Sequence, residues 1–570
     1  MADTKREIER KYEATTTTPG APPRLPDFTK AAGVSSVRDE GVHALDALYY
    51  DTADLALAAH AITLRRRTGG PDAGWHLKLP VAPDVRDEIR APLGTDVPRS
   101  LAALVRSRTR GAPLIPVVRL KSSRRVQQLL DAAGESLAEV SVDEVHAERF
   151  GAGTSQGAGT GEGVGAGQGV GTGEGVGAGQ GAGTGEGAGA GQGAGTGEAA
   201  ETGEAADTRK GGGTLTAVSW TEIEVEVADE GDPAILDAVE KRLRKAGVRP
   251  SSSASKLSRA LEETGGGPAR IAAPTGESAG ARVLAYLHEQ AEALHAYDPA
   301  VRRDLPDSVH QMRVATRRMR SAFKTYRTVL DRTVTDPVAE ELKWLAGELG
   351  ADRDQEVLAA RLQAHLAALP RTLLLGPVRG RLRIWSVARR SSARRRSLAA
   401  LNSRRYLDLL LSLDALLADP PLRKAARKDA AEVFPAVLVK DYGRLATRTE
   451  HALSLPHGTD RDLAMHEARK AAKRLRYAAE SSRPVLGKPA NRLRKRVKAV
   501  QGVLGDHQDS VVARGELRNL AIQSHAAGET AFVWGLLYGR EEAAAADRER
   551  ELPKVWGRAG GKKAVGWLGL

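Results

Sequence analysis

A chain of 570 residues exceeds what one compact domain usually holds, so two folded domains with linkers are expected. It has no cysteine, which excludes disulfides and thiolate metal centres. Its opening residues, MADTKREIER, lack the apolar stretch of a secretory signal, and no run of about 18 apolar residues could span a membrane, so a soluble, cytoplasmic protein with no membrane partner is expected.

Residues 1–150 contain short segments rich in β-branched and aromatic residues, broken by Gly, Pro and Asp: EIERKYE, ALYYDT, AITLRRRT, GWHLKLP, RDEIRAPL, VVRLKSSRRVQQL and LAEVSVDEV. These read as strands, with a helix around SLAALVRSR. Alternate side chains of a strand share a face, so Glu7, Glu9 and Lys11 lie together. Charged residues alternate in the same way at Arg65 and Arg67, at His76 and Lys78, at Arg86, Glu88 and Arg90, and at Arg119 and Lys121.

Residues 151–211 repeat a twelve-residue unit, GTGEGVGAGQGV and its variants, marked by Glu162, Glu174, Glu186 and Glu198. Such a stretch has too little apolar surface to offset its ordering entropy and reads as a flexible, mildly acidic tether. The strand pattern resumes in SWTEIEVEVADE, which aligns Glu222, Glu224 and Glu226. A helix follows in DPAILDAVEKRLRKAGV, with Ile235, Leu236, Val239 and Leu243 on one stripe and Gly247 as its stop. The repeat therefore interrupts a first domain spanning residues 1–262, and residues 263–278 read as the linker.

From 279 to 550 the pattern is helical, with residues 551–570 as a tail. This half echoes itself: SVHQMRVATRRMRSAFKTY by AMHEARKAAKRLRYAAE, and LAGELGADRDQEV by VQGVLGDHQDSVV. His310 and His466 are 156 apart, and Asp354 and Asp509 are 155 apart. One offset for two blocks predicts a duplicated helical bundle with pseudo-twofold symmetry.

The net charge of +13 is uneven. Residues 301–520 hold 45 Lys and Arg against 24 Asp and Glu, so the remainder is acidic. Nucleic acid, an acidic membrane and polyphosphate all suit so basic a body. Within it, His310, Arg313, Arg317 and Arg320 lie on one helix face, and His466, Arg469, Lys473 and Arg476 repeat the stripe. A solvated helix would mix acids into such a stripe, whereas a bound polyanion relieves its self-repulsion. No zinc-finger or basic-zipper pattern is present and aromatics are only 4%, which counts against nucleic acid.

Each alternating strand alone fits an ordinary polar face toward water. If the strands close into a barrel, their charged faces line one cavity. Clustered carboxylates then need a hard divalent cation and clustered Arg and Lys need anions, a pair of demands that a metal-bound polyphosphate meets.

EIERK matches the ExExK signature of the CYTH domain, whose members are the triphosphate tunnel metalloenzymes. The resemblance continues through YYDTADLAL, LRRR, the lysine of WHLKL, RDEIR, EIEVEV and ASKLSRAL, in the family's order, and covers most of residues 1–262. It implies an eight-stranded antiparallel tunnel that binds triphosphate compounds with Mg²⁺ or Mn²⁺. By this resemblance Glu7, Glu9, Glu222 and Glu224 would hold the metal. Lys11, Arg65, Arg67, Lys78, Arg119 and Lys256 would grip phosphates, with Glu88 and Glu226 as further acids. Arg124 or Arg125 would add a contact, though the spacing in RLKSSRR does not decide which. Lys11 is the candidate to orient or deprotonate the attacking water. The helical half is similar to the CHAD domain, a module implicated in binding inorganic polyphosphate and for which metal chelation by histidine has also been proposed.

The whole chain is thus expected to be an α+β multidomain protein: an antiparallel β tunnel followed by an all-α duplicated bundle. The expected activity is metal-dependent hydrolysis of inorganic triphosphate, with polyphosphate bound by the helical half. Class IV adenylate cyclase, nucleoside or thiamine triphosphatase, and a non-catalytic polyphosphate-binding protein are the alternatives.

Overall fold

A computed structural model describes residues 3–13, 25–150, 216–229, 231–268 and 273–569. The tether expected over 151–211 lies outside the described residues. In the first half eight strands build a ring: β1 (Asp3–Glu13), β2 (Ser36–Asp51), β3 (Thr63–Thr68), β4 (Gly74–Ala82), β5 (Val85–Ala91), β6 (Ile115–Leu130), β7 (Ser136–Arg149) and β8 (Thr216–Val227), and a two-residue strand, Arg249–Pro250, pairs with the end of β1. The eight run in the order β5-β4-β3-β2-β6-β7-β8-β1, every neighbour antiparallel. Residues 3–8 of β1 pair with β5 and residues 9–13 with β8, which closes the ring and removes its edges.

The ring is inverted relative to an ordinary soluble barrel. Residues directly opposite in an antiparallel pair share a face. The register sets Glu7 against Arg86, Lys78 against Glu88, Lys11 against Glu224, and Arg124 against Asp143, so these charges all point inward. The intervening apolar residues point out and are covered by helices. Helix α1 (Arg99–Thr109) lays Leu101, Leu104 and Val105 over Leu64, Trp75, Leu77 and Ile89. Helix α2 (Ala234–Lys245) lays Leu236, Val239 and Leu243 over Tyr12, Val140, Ile223 and Val225. Helix α3 (Lys256–Glu263) does something different. Its Leu257, Ala260 and Leu261 pack on Val118, Leu120 and Val145, which are inward-facing residues, so α3 seals one end of the ring.

The second half is helical: α4 (Ala279–Arg302), α5 (Ser308–Thr325), α6 (Arg332–Glu348), α7 (Gly350–Ala367), α8 (Val378–Asn402), α9 (Arg404–Ala418), α10 (Ala430–Ser454), α11 (Thr459–Ser481), α12 (Arg483–Ala526) and α13 (Phe532–Gly560). The echoing segments form α5 and α11, which pack on each other between two cores. Ion pairs join the halves: Arg108 to Glu292 of α4 at 2.8 Å, Arg110 to Asp414 of α9 at 2.7 Å, and Arg303 to Asp87 of β5 at 2.8 Å.

The turn from β3 to β4 aims Arg65, Arg67 and Lys78 and depends on Gly69. Its φ is +80°, and a Cβ there would lie 2.3 Å from the Ala44 carbonyl oxygen. Gly69→Ala is therefore expected to lower stability by about 1–3 kcal/mol in urea denaturation; an unchanged midpoint would refute this account of the turn.

Candidate functional site

The ring encloses a cavity of about 160 Å³ lined almost wholly by charged side chains. Two clusters fill it. In the first, Lys78 Nζ lies 2.6 Å from Glu7 and 3.9 Å from both Glu9 and Glu88, while Arg86 donates to Glu9 at 3.1 Å. In the second, Lys256, at the first turn of α3, lies 2.9 Å from Asp143 and 2.7 Å from both Glu222 and Glu224. Arg124 donates to Asp143 at 2.7 Å and to Glu224 at 2.5 Å. Lys11 links the clusters, hydrogen-bonding Glu224 and lying 3.5 Å from Glu9. Beside them, Arg65 donates to Tyr49 at 3.3 Å and Arg67 pairs with Asp72. His76 is buried, with Nδ1 on Glu88 and Nε2 on the Asp72 carbonyl.

Burial and neighbours pull these groups apart in acidity. Burial pushes the Glu7 carboxyl up despite Lys78. Burial would also raise Glu9, but Lys11, Lys78 and Arg86 outweigh it and hold that carboxyl well below its ordinary range. Burial alone would raise Asp143, yet Arg124 and Lys256 depress it. Burial lowers the Lys11 ammonium to about 8, with Glu9 resisting and Lys256 assisting. Burial, then Arg65 and Arg124, bring Arg67 down to about 9.

The donor set suits a hard cation. Asp143, Glu222 and Glu224 each present an oxygen within 4.8 Å of the others, all buried, and Glu7 and Glu9 add two more carboxylates. No thiolate is available, and the His76 imidazole, buried against Glu88, is already hydrogen-bonded through both nitrogens. Oxygen ligands of this kind fit Mg²⁺ or Mn²⁺ better than softer metals.

Glu7, Glu9, Lys11, Arg65, Arg67, Lys78, Glu222, Glu224 and Lys256 are thus brought together around one cavity. Arg119 is not. The inward positions of β6 are Val118, Leu120, Ser122 and Arg124, whereas Arg119 stands on the outer face, paired with Asp46 at 2.5 Å. The same parity settles the choice left open by RLKSSRR: Arg124 enters the cavity and Arg125 faces out to Asp39. Asp143 was missed. It alternates with Glu139 and Ser141 in LAEVSVDEV, the period-2 signal that marked the other strands, and Glu139 also lines the cavity.

In the helical half the two basic stripes meet. Lys473 of α11 is pushed down to about 7, first by burial and then by Arg469, Arg317 and Arg313, with Asp509 resisting. His466 Nδ1 lies 2.5 Å from Gln508 Oε1, Arg469 lies 3.5 Å from Asp509, and Arg313 donates to the Gly350 carbonyl at 3.3 Å. Burial lowers the Arg320 guanidinium, and Arg476 stacks 4.4 Å over Tyr477. His310 is half-buried on the matching face of α5. Among the described residues neither His310 nor His466 joins a cluster of three metal-ligating groups. Asp462, His507 and Glu549 do form one, but Arg514 at 2.8 Å and Arg461 at 2.9 Å already balance its acids.

Residues 5–153 match the CYTH domain and residues 285–518 the CHAD domain. Two uncharacterized proteins of Mycobacterium tuberculosis, from strains CDC 1551 / Oshkosh and ATCC 25618 / H37Rv, are each 37% identical over 555 residues, covering 96% of this chain and 94% of theirs. Among solved structures, the chain is similar to the CHAD domain from the plant Ricinus communis (27% identity, 52% of this chain and 98% of that one, TM-score 0.41). It is also similar to PptA from Streptomyces chartreusis (20% identity, 49% and 99%, TM-score 0.42).

Asp143 is fully buried between Arg124 and Lys256. Asp143→Ala leaves both cations short of a counter-charge, and a loss of about 3–5 kcal/mol is expected in denaturant titration. A loss below about 1 kcal/mol, the level of a surface pair, would show that the buried pairing contributes little.

Proposed function

The chain belongs to the family that joins a CYTH domain to a CHAD domain, and on that premise we propose that it is a metal-dependent hydrolase of inorganic triphosphate whose helical half binds inorganic polyphosphate. The catalytic unit is residues 1–262, residues 263–278 connect, and residues 279–550 form the polyphosphate-binding unit. A CYTH domain points to the triphosphate tunnel metalloenzymes and a CHAD domain to polyphosphate association.

The observation that carries the reading is the inverted ring. It sets Lys11, Arg65, Arg67, Lys78, Arg124 and Lys256 around the same cavity as the carboxylates of Glu7, Glu9 and Glu224. In this reading Glu7, Glu9, Glu222 and Glu224, with Asp143, hold Mg²⁺ or Mn²⁺. That cation, when bound, neutralises phosphoryl charge and lowers the pKa of a bound water. The guanidinium groups of Arg65, Arg67 and Arg124 bind phosphate oxygens in bidentate fashion. Lys11, at about 8, is close enough to neutral pH to take up a proton from the attacking water. The enclosing strands keep bulk water away and so strengthen every charge interaction inside.

The cavity lining also favours an inorganic substrate over a nucleotide. Tyr49 is the sole aromatic lining it among the described residues, and no apolar wall is present to receive a base. Both halves would then act on the same kind of chain.

The test is purified protein with Mg²⁺ or Mn²⁺, offered tripolyphosphate, ATP and thiamine triphosphate. Phosphate release is expected fastest from tripolyphosphate. Cyclic AMP from ATP would mark a cyclase instead, and no product from any substrate would leave a binding protein only. Glu9→Ala is expected to cut turnover by at least ~100-fold with unchanged circular dichroism; retained activity would remove Glu9 from the metal site.

For the helical half, Lys473 loses its proton as pH rises through about 7. Long polyphosphate is therefore expected to bind more tightly at pH 6 than at pH 8.5, and Lys473→Met to flatten that difference. A wild-type affinity that does not fall over this range would exclude Lys473 from the binding surface.

A further inference from the structure

Helix α8 carries eight arginines and no acid over Val378–Asn402. Leu382, Trp385, Ala393 and Leu401 face the core and hold it in place. Its outer face is unusual in two ways. Ile384 is 73% exposed and Val387 59% exposed, adjacent on the solvent side of the helix. Flanking them, Arg379, Arg383 and Arg395 are exposed and have no ion-pair partner among the described residues. The other arginines of the helix are occupied: Arg381 by Glu529, Arg389 by Glu516, Arg390 and Arg394 by Asp304, and Arg396 by Glu348. The exposed face thus combines uncompensated positive charge with exposed aliphatic side chains.

A third observation lies in the groove beside it. Trp385 is only 7% exposed, and its Nε1 has no hydrogen-bond partner among the described residues. It lines a groove of about 440 Å³ together with Ile384 and Ala388. With Arg389 lying over the Trp385 ring, the groove adds an apolar wall at the edge of a cationic surface, a combination that suits the boundary between acyl chains and headgroups.

We propose that the outer face of α8 docks the protein on the surface of a membrane containing anionic phospholipid. Ile384 and Val387 enter the acyl boundary, and Arg379, Arg383 and Arg395 contact headgroup phosphates. Charge complementarity selects an anionic partner, and the apolar pair decides which one. Polyphosphate and nucleic-acid backbones give Ile384 and Val387 nothing to bury against. A protein partner would need a bounded patch of matched acids, whereas a headgroup layer supplies continuous negative charge over apolar depth. No helix among the described residues is long and apolar enough to cross a membrane; docking of this kind is peripheral and needs none. Because α8 is already folded on its own core, binding carries no cost of helix formation.

The test is flotation of the full chain with vesicles. Binding is expected to vesicles of phosphatidylcholine with about 30% phosphatidylglycerol, to be absent with phosphatidylcholine alone, and to fall as salt rises. Arg379→Gln, Arg383→Gln and Arg395→Gln together are expected to weaken it by about 100-fold. Ile384→Asp with Val387→Asp is expected to abolish it while circular dichroism and tripolyphosphate hydrolysis stay unchanged. Failure of the wild-type chain to float with anionic vesicles overturns the proposal. So does an Ile384/Val387 variant that floats as well as wild type. If the wild-type chain does not float and the arginine triple variant loses affinity for long polyphosphate, the face belongs to the polyphosphate track and the membrane proposal falls.

Discussion

Strands that turn their charged faces inward must neutralise those charges against one another, and in this protein the register of an antiparallel ring does so. Removing isolated ions from water costs several kcal/mol each, so an interior filled with one sign would not form. Here cations and carboxylates face each other across neighbouring strands: Glu7 and Arg86, Lys78 and Glu88, Lys11 and Glu224, Arg124 and Asp143. A slip of one residue in any pairing would put that strand's charges outside and its apolar residues inside. The outer apolar faces, bound by α1 and α2, hold the register from the other side. Inner charge pairing and outer apolar packing are therefore two expressions of one period-2 pattern.

Closure at α3 follows from the same constraint. The end of the ring near Val118, Leu120 and Val145 has apolar inward positions and would be open to water without a cover. Helix α3 supplies that cover, and its first residue sends Lys256 to Asp143, Glu222 and Glu224. The Ser255 capping box fixes the start of α3, so one short helix both plugs the end and places a cation on the acidic cluster. Contacts from the helical half also reach the ring. Asp87 of β5 is held on one side by Arg6 of β1 and on the other by Arg303 after α4. It sits directly behind Arg86 and Glu88, which line the cavity.

Much of this was legible in the chain because alternation of charge survives any detail of packing. Glu7, Glu9, Glu222 and Glu224 announced an acidic interior, and Arg65, Arg67 and Lys78 a basic one. Arg119 failed for a physical reason: period 2 says which residues share a face, but not which face is inside. In β6 both faces carry arginine, and only the pairing of Leu120 with Ala47 and of Arg124 with Asp143 shows the inner one. Asp143 escaped because its strand carries acids on both faces, Glu139 and Asp143 on one and Glu144 on the other, and its importance comes from Arg124 and Lys256, which other elements supply. In the helical half, the echo of SVHQMRVATRRMR in AMHEARKAAKRLR exposed the duplication. That the two stripes converge on Lys473 required the packing of α5 on α11.

The two halves treat anions in opposite ways. Around Lys473, burial and then Arg469, Arg317 and Arg313 disfavour the charged ammonium while Asp509 favours it, so a dense polyanion arriving there supports the charged form. In the cavity Lys5, Lys11, Lys78 and Lys256 already rest on carboxylates. A phosphate chain that draws Lys11, Lys78 and Lys256 toward itself must strip them from Glu7, Glu9, Glu222 and Glu224. Those acids, buried and released from their partners, then repel each other unless a divalent cation takes the place of the ammonium groups. Anion and cation binding are thus thermodynamically linked, each raising the affinity for the other by the same factor. On the proposed reading, charge density alone selects ligands for the helical surface, while the ring selects for a phosphate chain and a divalent cation together.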